Sequence, residues 1–319
     1  MKIVFLETKT LGEDVSLEAF EALGEVVCYD ISEPEKNAER AKDADVLVVN
    51  KIPMNEETLS FAKNLKLICL TATGTNNVDF AYTNERGIAV ANVKGYSTQS
   101  VIQHTFALFF YLYEKLAYYD GFVKTGEYSR NLIFSHFDAK FNELYGKTWG
   151  IIGLGEIGRG VAAIAKLFGC KVVYYSTSGK NDNPDYERVD LDTLLRESDV
   201  VSIHAPLNEA TWNMIGKEEL AKMKKSAILL NLGRGPIVNQ EALAEALEQN
   251  AIAGAGLDVL TVEPMEPGNP LLQIQDSTKL FITPHIAWAT VEARQRCADE
   301  TAENIRAFLN GEKRNVVTV

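Results

Sequence analysis

A glycine-rich turn between an apolar run and a helical pattern constrains this 319-residue chain more than any other feature. Residues 148–160 read TWGIIGLGEIGRG, and apolar residues at helical spacing continue after the turn. In such a unit the glycines permit a tight turn, close approach of a pyrophosphate and close packing of helix on strand, while the helix N-terminus offers free N–H groups. The pattern predicts a dinucleotide site at Gly153, Gly155, Glu156, Ile157 and Gly158, although a purely structural turn has the same spacing.

Charge and composition narrow the range of partners. The formal net charge of −12 argues against nucleic acid and anionic membrane surfaces, because both would repel the chain. No apolar stretch reaches roughly 18 residues and the N-terminal apolar run is too short for a signal peptide, so we expect a cytoplasmic protein without a membrane span. The cysteines at 28, 69, 170 and 297 are too far apart for CxxC motifs, which predicts buried thiols in a reducing compartment and no metal site.

Two α/β patterns follow one another along the chain. Strand-like runs of the first lie at 3–6, 26–29, 46–49 and 67–70, and those of the second at 172–175, 200–204, 227–232, 256–259 and 280–283. Helical stretches separate them, which predicts two α/β domains, each a doubly wound, Rossmann-like parallel sheet. The last helical stretch, 290–309, follows the final strand and is long enough to return to the first domain.

Residues 100–119 form a helical pattern that is apolar almost all round. Large side chains occupy more than one face, and one core does not easily bury them all. Two explanations stay open. Either the helix packs against its own domain on one side and a second subunit on the other, or it is fully buried within one domain.

Three short signatures close predicted strands of the second domain. They are NLGRG at 231–235, Asp258-Val259 followed by Glu263-Pro264, and Thr283-Pro284-His285. The carboxyl ends of parallel strands line the ligand crevice of an open α/β sheet. We therefore expect Arg234, Asp258, Glu263 and His285 to converge at that edge.

An arginine, a histidine and a carboxylate together suit the reduction of a 2-keto acid. Arg234 would hold carboxylate and carbonyl oxygens through its planar guanidinium. His285 would donate the proton, while Glu263 would hydrogen-bond the other ring nitrogen, fix the ring and favour its protonated form. Each residue has a structural explanation when taken singly, but the ordered set behind a glycine turn points to catalysis.

The other histidines are interpreted as structural. An isolated histidine beside apolar residues is more often a satisfied core residue than a catalyst, which applies to His104, His136 and His204. His204 also ends a predicted strand, so we keep it as a residue that borders the cofactor.

A set of motifs spread along the chain accompanies the glycine turn GLGEIG. They are ATGTNNVD at 72–79, GYS at 95–97, HAPL at 204–207, NLGRG at 231–235, GLDV at 256–259, EP at 263–264 and PHIAWAT at 284–290. With this combination the chain resembles the D-isomer-specific 2-hydroxyacid dehydrogenase family over essentially its whole length.

The resemblance implies a substrate-binding domain at 1–98 plus 287–319, an NAD(P)-binding domain at 99–286, an active-site cleft between them, and a homodimer built largely on the nucleotide-binding domains. It assigns Arg234, Glu263 and His285 as catalytic residues. Implied cofactor contacts outside the glycine turn are Ser176, Thr177, His204, Pro206, Asp258 and Thr105. Implied substrate contacts are Lys51, Thr73, Gly74, Arg234, His285 and Trp288, with backbone N–H groups around Thr73 and Gly74 holding the substrate carboxylate.

One position departs from the family pattern. An acidic residue is expected about 20 residues past the glycines, where it would bind the ribose hydroxyls of NAD. Here the strand ends in Tyr175-Ser176-Thr177, so no carboxylate repels a 2′-phosphate, and Lys180 is placed to accept one. Against this, the loop contains no arginine and a serine can still bond a ribose hydroxyl. We expect NAD(H) from the family pattern and keep NADP(H) as the open alternative.

Asn50-Lys51 and Trp288 are most similar to the glycerate dehydrogenase and hydroxypyruvate reductase branch. We therefore predict NAD(P)-dependent reduction of a small 2-keto acid, such as hydroxypyruvate or glyoxylate, to the D-hydroxy acid. The alternative within the enzyme class is a D-lactate dehydrogenase or a D-2-hydroxyacid dehydrogenase for branched-chain substrates. The alternative from another class is a dinucleotide-sensing binding protein similar to the corepressor relatives of the family.

Overall fold

A computed structural model describes residues 1–317 of the chain. The strands are β1 (Lys2–Phe5), β2 (Glu25–Cys28), β3 (Val46–Val49), β4 (Leu67–Leu70), β5 (Ala89–Ala91), β6 (Thr148–Ile152), β7 (Lys171–Tyr175), β8 (Glu187–Arg188), β9 (Val200–Ile203), β10 (Ile228–Asn231), β11 (Gly254–Leu257) and β12 (Leu280–Ile282). The helices are α1 (Glu18–Glu21), α2 (Pro34–Ala41), α3 (Glu56–Leu59), α4 (Phe80–Glu85), α5 (Thr98–Tyr113), α6 (Leu116–Lys124), α7 (Glu156–Leu167), α8 (Leu191–Glu197), α9 (Lys217–Lys222), α10 (Gln240–Glu248) and α11 (Val291–Leu309). Contacts divide the chain into unit 1, residues 1–97 with those from Trp288 onward, and unit 2, Thr98–Ala287.

Unit 1 is built on a parallel sheet with the strand order β2-β1-β3-β4-β5. The central strands β3 and β4 consist of buried apolar residues throughout, as expected of strands covered on both faces. One face is covered by apolar residues from the helices that connect the strands. The other face is completed by α11, which packs Ala298, Ala302 and Ile305 against side chains of β1 and β3.

Unit 2 is built on a second parallel sheet, with the order β12-β11-β10-β9-β6-β7-β8. From β6 the chain runs outward through β7 and β8, and it then returns to the other side of β6 at β9. The carboxyl ends of β6 and β9 therefore form a topological switch point, where an open α/β sheet has its ligand crevice. Two apolar clusters cover the two faces of this sheet.

The structure confirms the predicted pair of parallel α/β sheets, and the strand ends differ from the predicted ones by one or two residues. Two short strands were not predicted. The strand β5 has three residues, and β8 consists of Glu187 and Arg188, whose polar side chains give no strand signal. Their positions are set by pairing with β4 and β7 rather than by their own sequence.

The single helix predicted over 100–119 is wrong. The chain leaves α5 after Tyr113, passes through Lys115 in the left-handed region at φ +57°, and begins α6 at Leu116. Leu108, Phe109 and Leu112 are fully buried in a core cluster of unit 2. The structure therefore supports burial of α5 within its own unit, and this helix needs no second subunit to cover it.

The prediction of four buried cysteines is wrong at one position. Cys69, Cys170 and Cys297 are buried, whereas Cys28 is exposed. The reason is that Cys28 ends β2, which lies at the edge of the unit 1 sheet and carries no fully buried residue. Within the described residues, no helix combines the length and apolar character needed to cross a membrane.

Gly150 in the central strand β6 provides a test of packing in unit 2. A Cβ there would lie 2.3 Å from Ser198 Oγ and 2.8 Å from Leu194 Cδ2, and both side chains are fully buried. We predict that Gly150→Ala lowers the free energy of unfolding by about 1–3 kcal/mol through overpacking, measured by urea denaturation. Gly268→Ala is the control because its Cβ would meet nothing within 4 Å. Equal stability of the two variants would contradict the packing described for β6.

Candidate active site

The glycine turn after β6 has the geometry of a phosphate site. Gly153 adopts φ +93°, and a Cβ on it would lie 2.9 Å from Ala205 Cα. Gly155 is the N-cap of α7 without a side-chain cap, and a Cβ there would meet nothing within 4 Å. The first N–H groups of α7 therefore open onto free space, where they can bind an anion. A Cβ on Gly158 would lie 2.3 Å from Gly153 O, so close packing of helix on turn excludes any larger residue.

The two other residues predicted for this turn differ in exposure. Glu156 begins α7 and is exposed, and its Oε2 lies 3.4 Å from the hydroxyl of Thr98, which donates to it. Ile157 is half-buried and packs against an apolar cluster of unit 2. Because the side chain of Ile157 packs into this cluster, only its backbone faces the phosphate site.

The loop after β7, residues 176–181, is tied to the glycine turn. Asn181 Nδ2 donates to Leu154 O at 2.7 Å, and Asn181 N donates to Ser176 Oγ at 3.2 Å. Ser176 is only 5% exposed, whereas Thr177 is half-buried. The loop therefore lies beside the turn as predicted, but Thr177 presents more surface to a ligand than Ser176 does.

His204 and Pro206 follow β9, next to the glycine turn. Both ring nitrogens of His204 are buried without a hydrogen-bond partner among residues 1–317. Burial lowers the pKa of His204 to about 3, so its ring is neutral at physiological pH. Pro206 is exposed and its carbonyl accepts the Thr211 hydroxyl at 2.8 Å. Unpartnered buried nitrogens are rare in folded proteins, which marks the end of β9 as a place where a ligand's polar group fits.

His285 and Glu263 form a direct contact in unit 2. His285 Nδ1 lies 2.6 Å from Glu263 Oε2, and their side chains are 25% and 33% exposed. The second carboxylate oxygen of Glu263 accepts the N–H of Leu260 at 2.8 Å, so the carboxylate is held at both oxygens. A carboxylate facing Nδ1 places a proton on that nitrogen. Nε2 is then the ring nitrogen that can exchange a proton with a ligand.

Asp258 lies beneath the loop that carries His285. It is 2% exposed, and its carboxylate accepts hydrogen bonds from the Thr283 hydroxyl at 2.7 Å, Ile286 N at 2.8 Å and Ala287 N at 2.9 Å. Its carbonyl accepts the N–H of His285 at 2.9 Å. These bonds hold His285 at φ +54°, in the left-handed region. The expected contact of Asp258 with the cofactor stays a prediction, since the loop supplies three of the roughly four hydrogen bonds that a carboxylate can accept.

His104 extends this network from α5. Its Nε2 lies 2.9 Å from the hydroxyl oxygen of Thr283. Because that hydroxyl donates its hydrogen to Asp258, His104 Nε2 must be the donor to Thr283. Burial lowers the pKa of His104, with the nearby Asp258 opposing the effect, so the neutral ring protonated on Nε2 fits this position. His104 is thus connected to the His285 loop, which its sequence context did not indicate.

Arg234 lies in a tight loop after β10. Asn231 shapes that loop, since its Oδ1 accepts from Gly233 N at 3.1 Å and its Nδ2 donates to Arg234 O at 3.0 Å. Arg234 Nη1 donates to Gly233 O at 2.8 Å. A Cβ on Gly235 would lie 1.9 Å from the carbonyl of Leu260, the residue whose N–H donates to the Glu263 carboxylate. The glycine therefore lets the Arg234 loop pack directly against the Glu263 loop.

Lys51 of unit 1 lies in a loop held by a buried acid. Glu7 is 8% exposed, and its Oε1 accepts the N–H groups of Asn50 at 2.7 Å, Lys51 at 2.7 Å and Ile52 at 3.2 Å. Asn77 Nδ2 donates to the carbonyl of Ile52 at 2.8 Å. The backbone that carries Lys51 is therefore fixed independently of the lysine side chain.

Thr73, Gly74 and Trp288 also belong to unit 1. The Thr73 hydroxyl donates to Val93 O at 2.8 Å, so its hydrogen is already used in a bond within unit 1. The amides of Thr73 and Gly74 donate no hydrogen bond to another residue in the range 1–317, which leaves two donors for an anion. Trp288 packs edge-on against Tyr96, with ring centroids 6.2 Å apart.

Unit 2 therefore brings together most of the residues predicted for it. Thr105 is the exception, since it is completely buried and its hydroxyl donates to Val101 O at 2.7 Å within α5. The structure leaves it no surface for a cofactor. Positioning residues that the sequence did not reveal are Glu7, His104, Asn181, Asn231, Gly235 and Thr283. Asn231 and Gly235 had a signal as members of the NLGRG motif, and Thr283 had one as the first residue of the Thr283-Pro284-His285 signature.

Comparison with known proteins identifies the family. Residues 106–287 match the model of the D-isomer specific 2-hydroxyacid dehydrogenase, NAD binding domain, which is more than half of the chain. The chain belongs to this family. It is therefore an oxidoreductase with a nucleotide-binding domain of the NAD type, as the resemblance implied.

Relatives within the family match over the full length. The chain is 39% identical to the glycerate dehydrogenase of Methylorubrum extorquens over 317 residues, covering 99% of this chain and 98% of the relative. It is also 39% identical to the hydroxypyruvate reductase of Blautia hydrogenotrophica, covering 99% of each. The D-lactate dehydrogenase of Aquifex aeolicus, solved with NAD and lactic acid, superposes with a TM-score of 0.86 at 30% identity, and 99% of each protein is covered.

The neutral His204 makes a prediction about acid stability. Its ordinary pKa of 6.5 falls to about 3 on burial, so the unfolded chain binds a proton that the folded chain does not. The contribution of His204 to the free energy of unfolding is therefore fully present above about pH 6.5 and is lost as the pH falls. Between about pH 7 and pH 4.5 the loss is about 2 kcal/mol.

Replacing the titrating ring isolates this effect from acid destabilisation by other groups. We predict that the free energy of unfolding of His204→Phe, from urea denaturation at both pH values, falls by about 2 kcal/mol less than that of the wild type. Parallel pH dependence of the two proteins would show that His204 is not kept neutral by the fold.

Proposed function

We propose that the protein reduces a small 2-keto acid of the hydroxypyruvate or glyoxylate type to the D-2-hydroxy acid, with a nicotinamide dinucleotide, NAD(H) or NADP(H), as the hydride carrier. The observation that carries the proposal is the His285–Glu263 contact of 2.6 Å in the same unit as the glycine turn. The glycerate dehydrogenase and hydroxypyruvate reductase names of the full-length relatives support the choice of substrate.

The residues of unit 2 fit a dinucleotide. The uncapped start of α7 suits the pyrophosphate, and the open space over Gly155 leaves room for it. The unpartnered His204 nitrogens lie on the neighbouring strand end. When bound, a reduced nicotinamide supplies the hydride that the keto carbon receives. The chain's own residues then have to orient the keto acid and supply one proton to its oxygen.

His285 is the proposed proton donor for reduction and proton acceptor for oxidation. Its Nδ1 is occupied by Glu263, so the proton passes between Nε2 and the substrate oxygen. The negative charge of Glu263 stabilises the positive ring that exists before the proton leaves. Arg234 is the proposed holder of the substrate carboxylate and carbonyl, since its guanidinium can bind two oxygens in one plane.

The substrate-side residues of unit 1 are proposed on the same chemical grounds. The amides of Thr73 and Gly74 would bind the substrate carboxylate, and Lys51 would add a positive charge on its fixed loop. Trp288, held against Tyr96, would limit the size of the substrate side chain. Unit 1 is accordingly proposed as the substrate-binding domain and unit 2 as the nucleotide-binding domain.

A substrate panel tests the proposal directly. Purified protein would be assayed by loss of NADH absorbance with hydroxypyruvate, glyoxylate, pyruvate and 2-ketoisocaproate. We expect the highest kcat/KM with one of the first two. Preference for pyruvate or 2-ketoisocaproate would assign the D-lactate or branched-chain alternative. Binding of NADH with no turnover on any compound would favour a dinucleotide-sensing protein.

The role of His285 is tested by substitution. We predict that His285→Ala lowers kcat by about 10²- to 10⁴-fold, because no other group exchanges the proton. The dissociation constant of NADH, measured by fluorescence titration, should stay nearly unchanged. Glu263→Gln is the matched variant, since it keeps a hydrogen-bond partner for Nδ1 but removes the charge.

We expect Glu263→Gln to retain more activity than His285→Ala, because the amide still orients the ring through Nδ1 while the acid–base group stays in place. Wild-type turnover in His285→Ala would remove His285 from the mechanism.

We also propose that the protein is a homodimer formed through unit 2. The segment from α6 to β6 exposes a series of large apolar side chains, among them Leu132 at 99% and Phe134 at 89% exposure. The others are Leu116, Val123, Tyr128, Ile133, Phe137, Phe141 and Tyr145. Contiguous apolar surface of this kind marks an interface, and a second copy offers a matching surface through twofold symmetry.

A charge within this segment should separate the subunits. We predict that Phe134→Asp raises the dimer dissociation constant at least about 100-fold, because association would bury an unpaired carboxylate. Light scattering after size exclusion would then give half the mass at micromolar concentration. Phe61→Asp is the control, since Phe61 is 57% exposed on unit 1. Dissociation by both variants, or by neither, would contradict an interface at this segment.

A further inference from the structure

The loop after β7 carries hydroxyls where an NAD-binding protein of this fold carries an acid. Ser176 occupies that position, and Thr177 and Ser178 follow it. The loop has a defined shape, because Ser178 Oγ accepts Lys180 N at 3.2 Å and Asn181 bonds both Ser176 and the glycine turn. A ribose bound at this strand end would face hydroxyls and amides rather than a carboxylate.

An arginine reaches this loop from the neighbouring strand. β8 pairs in parallel with β7, with Arg188 opposite Tyr174. The guanidinium then extends to the loop, where Nη2 donates to Gly179 O at 3.0 Å. The loop itself contains no arginine, and on the sequence alone this argued against binding of a 2′-phosphate. In the folded protein, the neighbouring strand of the sheet brings Arg188 to the loop.

The positive charges at this loop are not held in direct ion pairs, although acidic residues lie on the same segment. Among residues 1–317, neither Arg188 nor Lys180 forms an ion pair. Glu187 pairs with Lys171 at 3.0 Å, and the carboxylate of Asp190 caps α8 through Thr193 N at 2.8 Å. Asp182 and Asp185 lie on the same segment, and neither forms an ion pair within the described range. The Arg188 charge is therefore available to an anion at the loop.

Arg188 also borders open space rather than a packed surface. A cavity of about 560 Å³ is lined by Tyr175, Arg188, Val189, Asp190 and Thr193. It lies at the carboxyl ends of β7 and β8, the same edge of the sheet as the glycine turn. A group on the adenosine ribose can thus approach the guanidinium without displacing a core residue.

We infer that Arg188, with Lys180 and the hydroxyls of Thr177 and Ser178, binds a phosphate on the 2′-oxygen of the adenosine ribose, so that NADPH binds at least as tightly as NADH. The inference rests on the proposed function, because the dinucleotide must first occupy the glycine turn. Arg188 is a specificity-determining residue in this arrangement. It takes no part in the transfer of hydride or proton.

Binding of two nucleotide fragments isolates the 2′-phosphate. Adenosine 2′,5′-bisphosphate and adenosine 5′-monophosphate differ only in that group, and calorimetry measures their dissociation constants without turnover. We expect the wild type to bind the bisphosphate at least about tenfold more tightly, as a charge-assisted contact provides. Arg188→Gln should abolish most of that difference and leave binding of the monophosphate unchanged.

Two further variants complete the experiment. Arg196→Gln removes the same charge from α8, where Arg196 pairs with Asp192 at 3.7 Å, and should bind both fragments like the wild type. Ser176→Asp restores the acid and should weaken NADPH binding at least about tenfold while retaining NADH.

Equal binding of the two fragments by the wild type would overturn the inference and leave the proposed function standing. So would an equal loss of both fragments in Arg188→Gln, or an effect of Arg196→Gln as large as that of Arg188→Gln. Failure of NADH and both fragments to bind the wild type would instead overturn the proposed function, and the inference with it.

Discussion

The loop of unit 2 that carries His285 depends on one buried carboxylate. Taking the Asp258 charge out of water is costly unless hydrogen bonds replace the lost hydration. Here the loop that carries His285 supplies them through a hydroxyl and two backbone amides. In the conformation that makes these bonds, His285 adopts the left-handed backbone. The cost of burying Asp258 thus restrains the position of the His285 ring.

Close backbone packing extends this restraint to the other proposed catalytic groups. β10, β11 and β12 are neighbours in the sheet, so Arg234, Asp258 and His285 follow adjacent strands. Glu263 belongs to the segment after β11, and the absence of a side chain at Gly235 brings that segment against the Arg234 loop. Parallel strands and one glycine therefore place the loops that carry these residues, and side-chain hydrogen bonds such as His285–Glu263 fix the groups within those loops.

Prediction from the sequence succeeded where the signal is local and failed where it depends on tertiary contacts. Periodicity located both sheets, and the glycine turn was recognisable because its three glycines meet distinct steric demands. The break at Lys115 was missed because the residues on both sides are good helix formers. Arg188 was missed because its approach to Gly179 depends on pairing between β7 and a two-residue strand. The hydrogen bonds of the Asp258 carboxylate could not be predicted either, since the residues that donate them lie more than 20 positions away along the chain.

The return of α11 to unit 1 has a consequence for synthesis on the ribosome. Unit 2 is continuous and can close its core as soon as Ala287 has emerged. Unit 1 is begun first and finished last, because Ile3 and Phe5 of β1 are covered by Ala298, Ala302 and Ile305. At typical elongation rates the 190 residues of unit 2 take on the order of 10–40 s to make. During that interval one apolar face of the first sheet is without its helix, and exposed apolar surface of this kind is prone to aggregation.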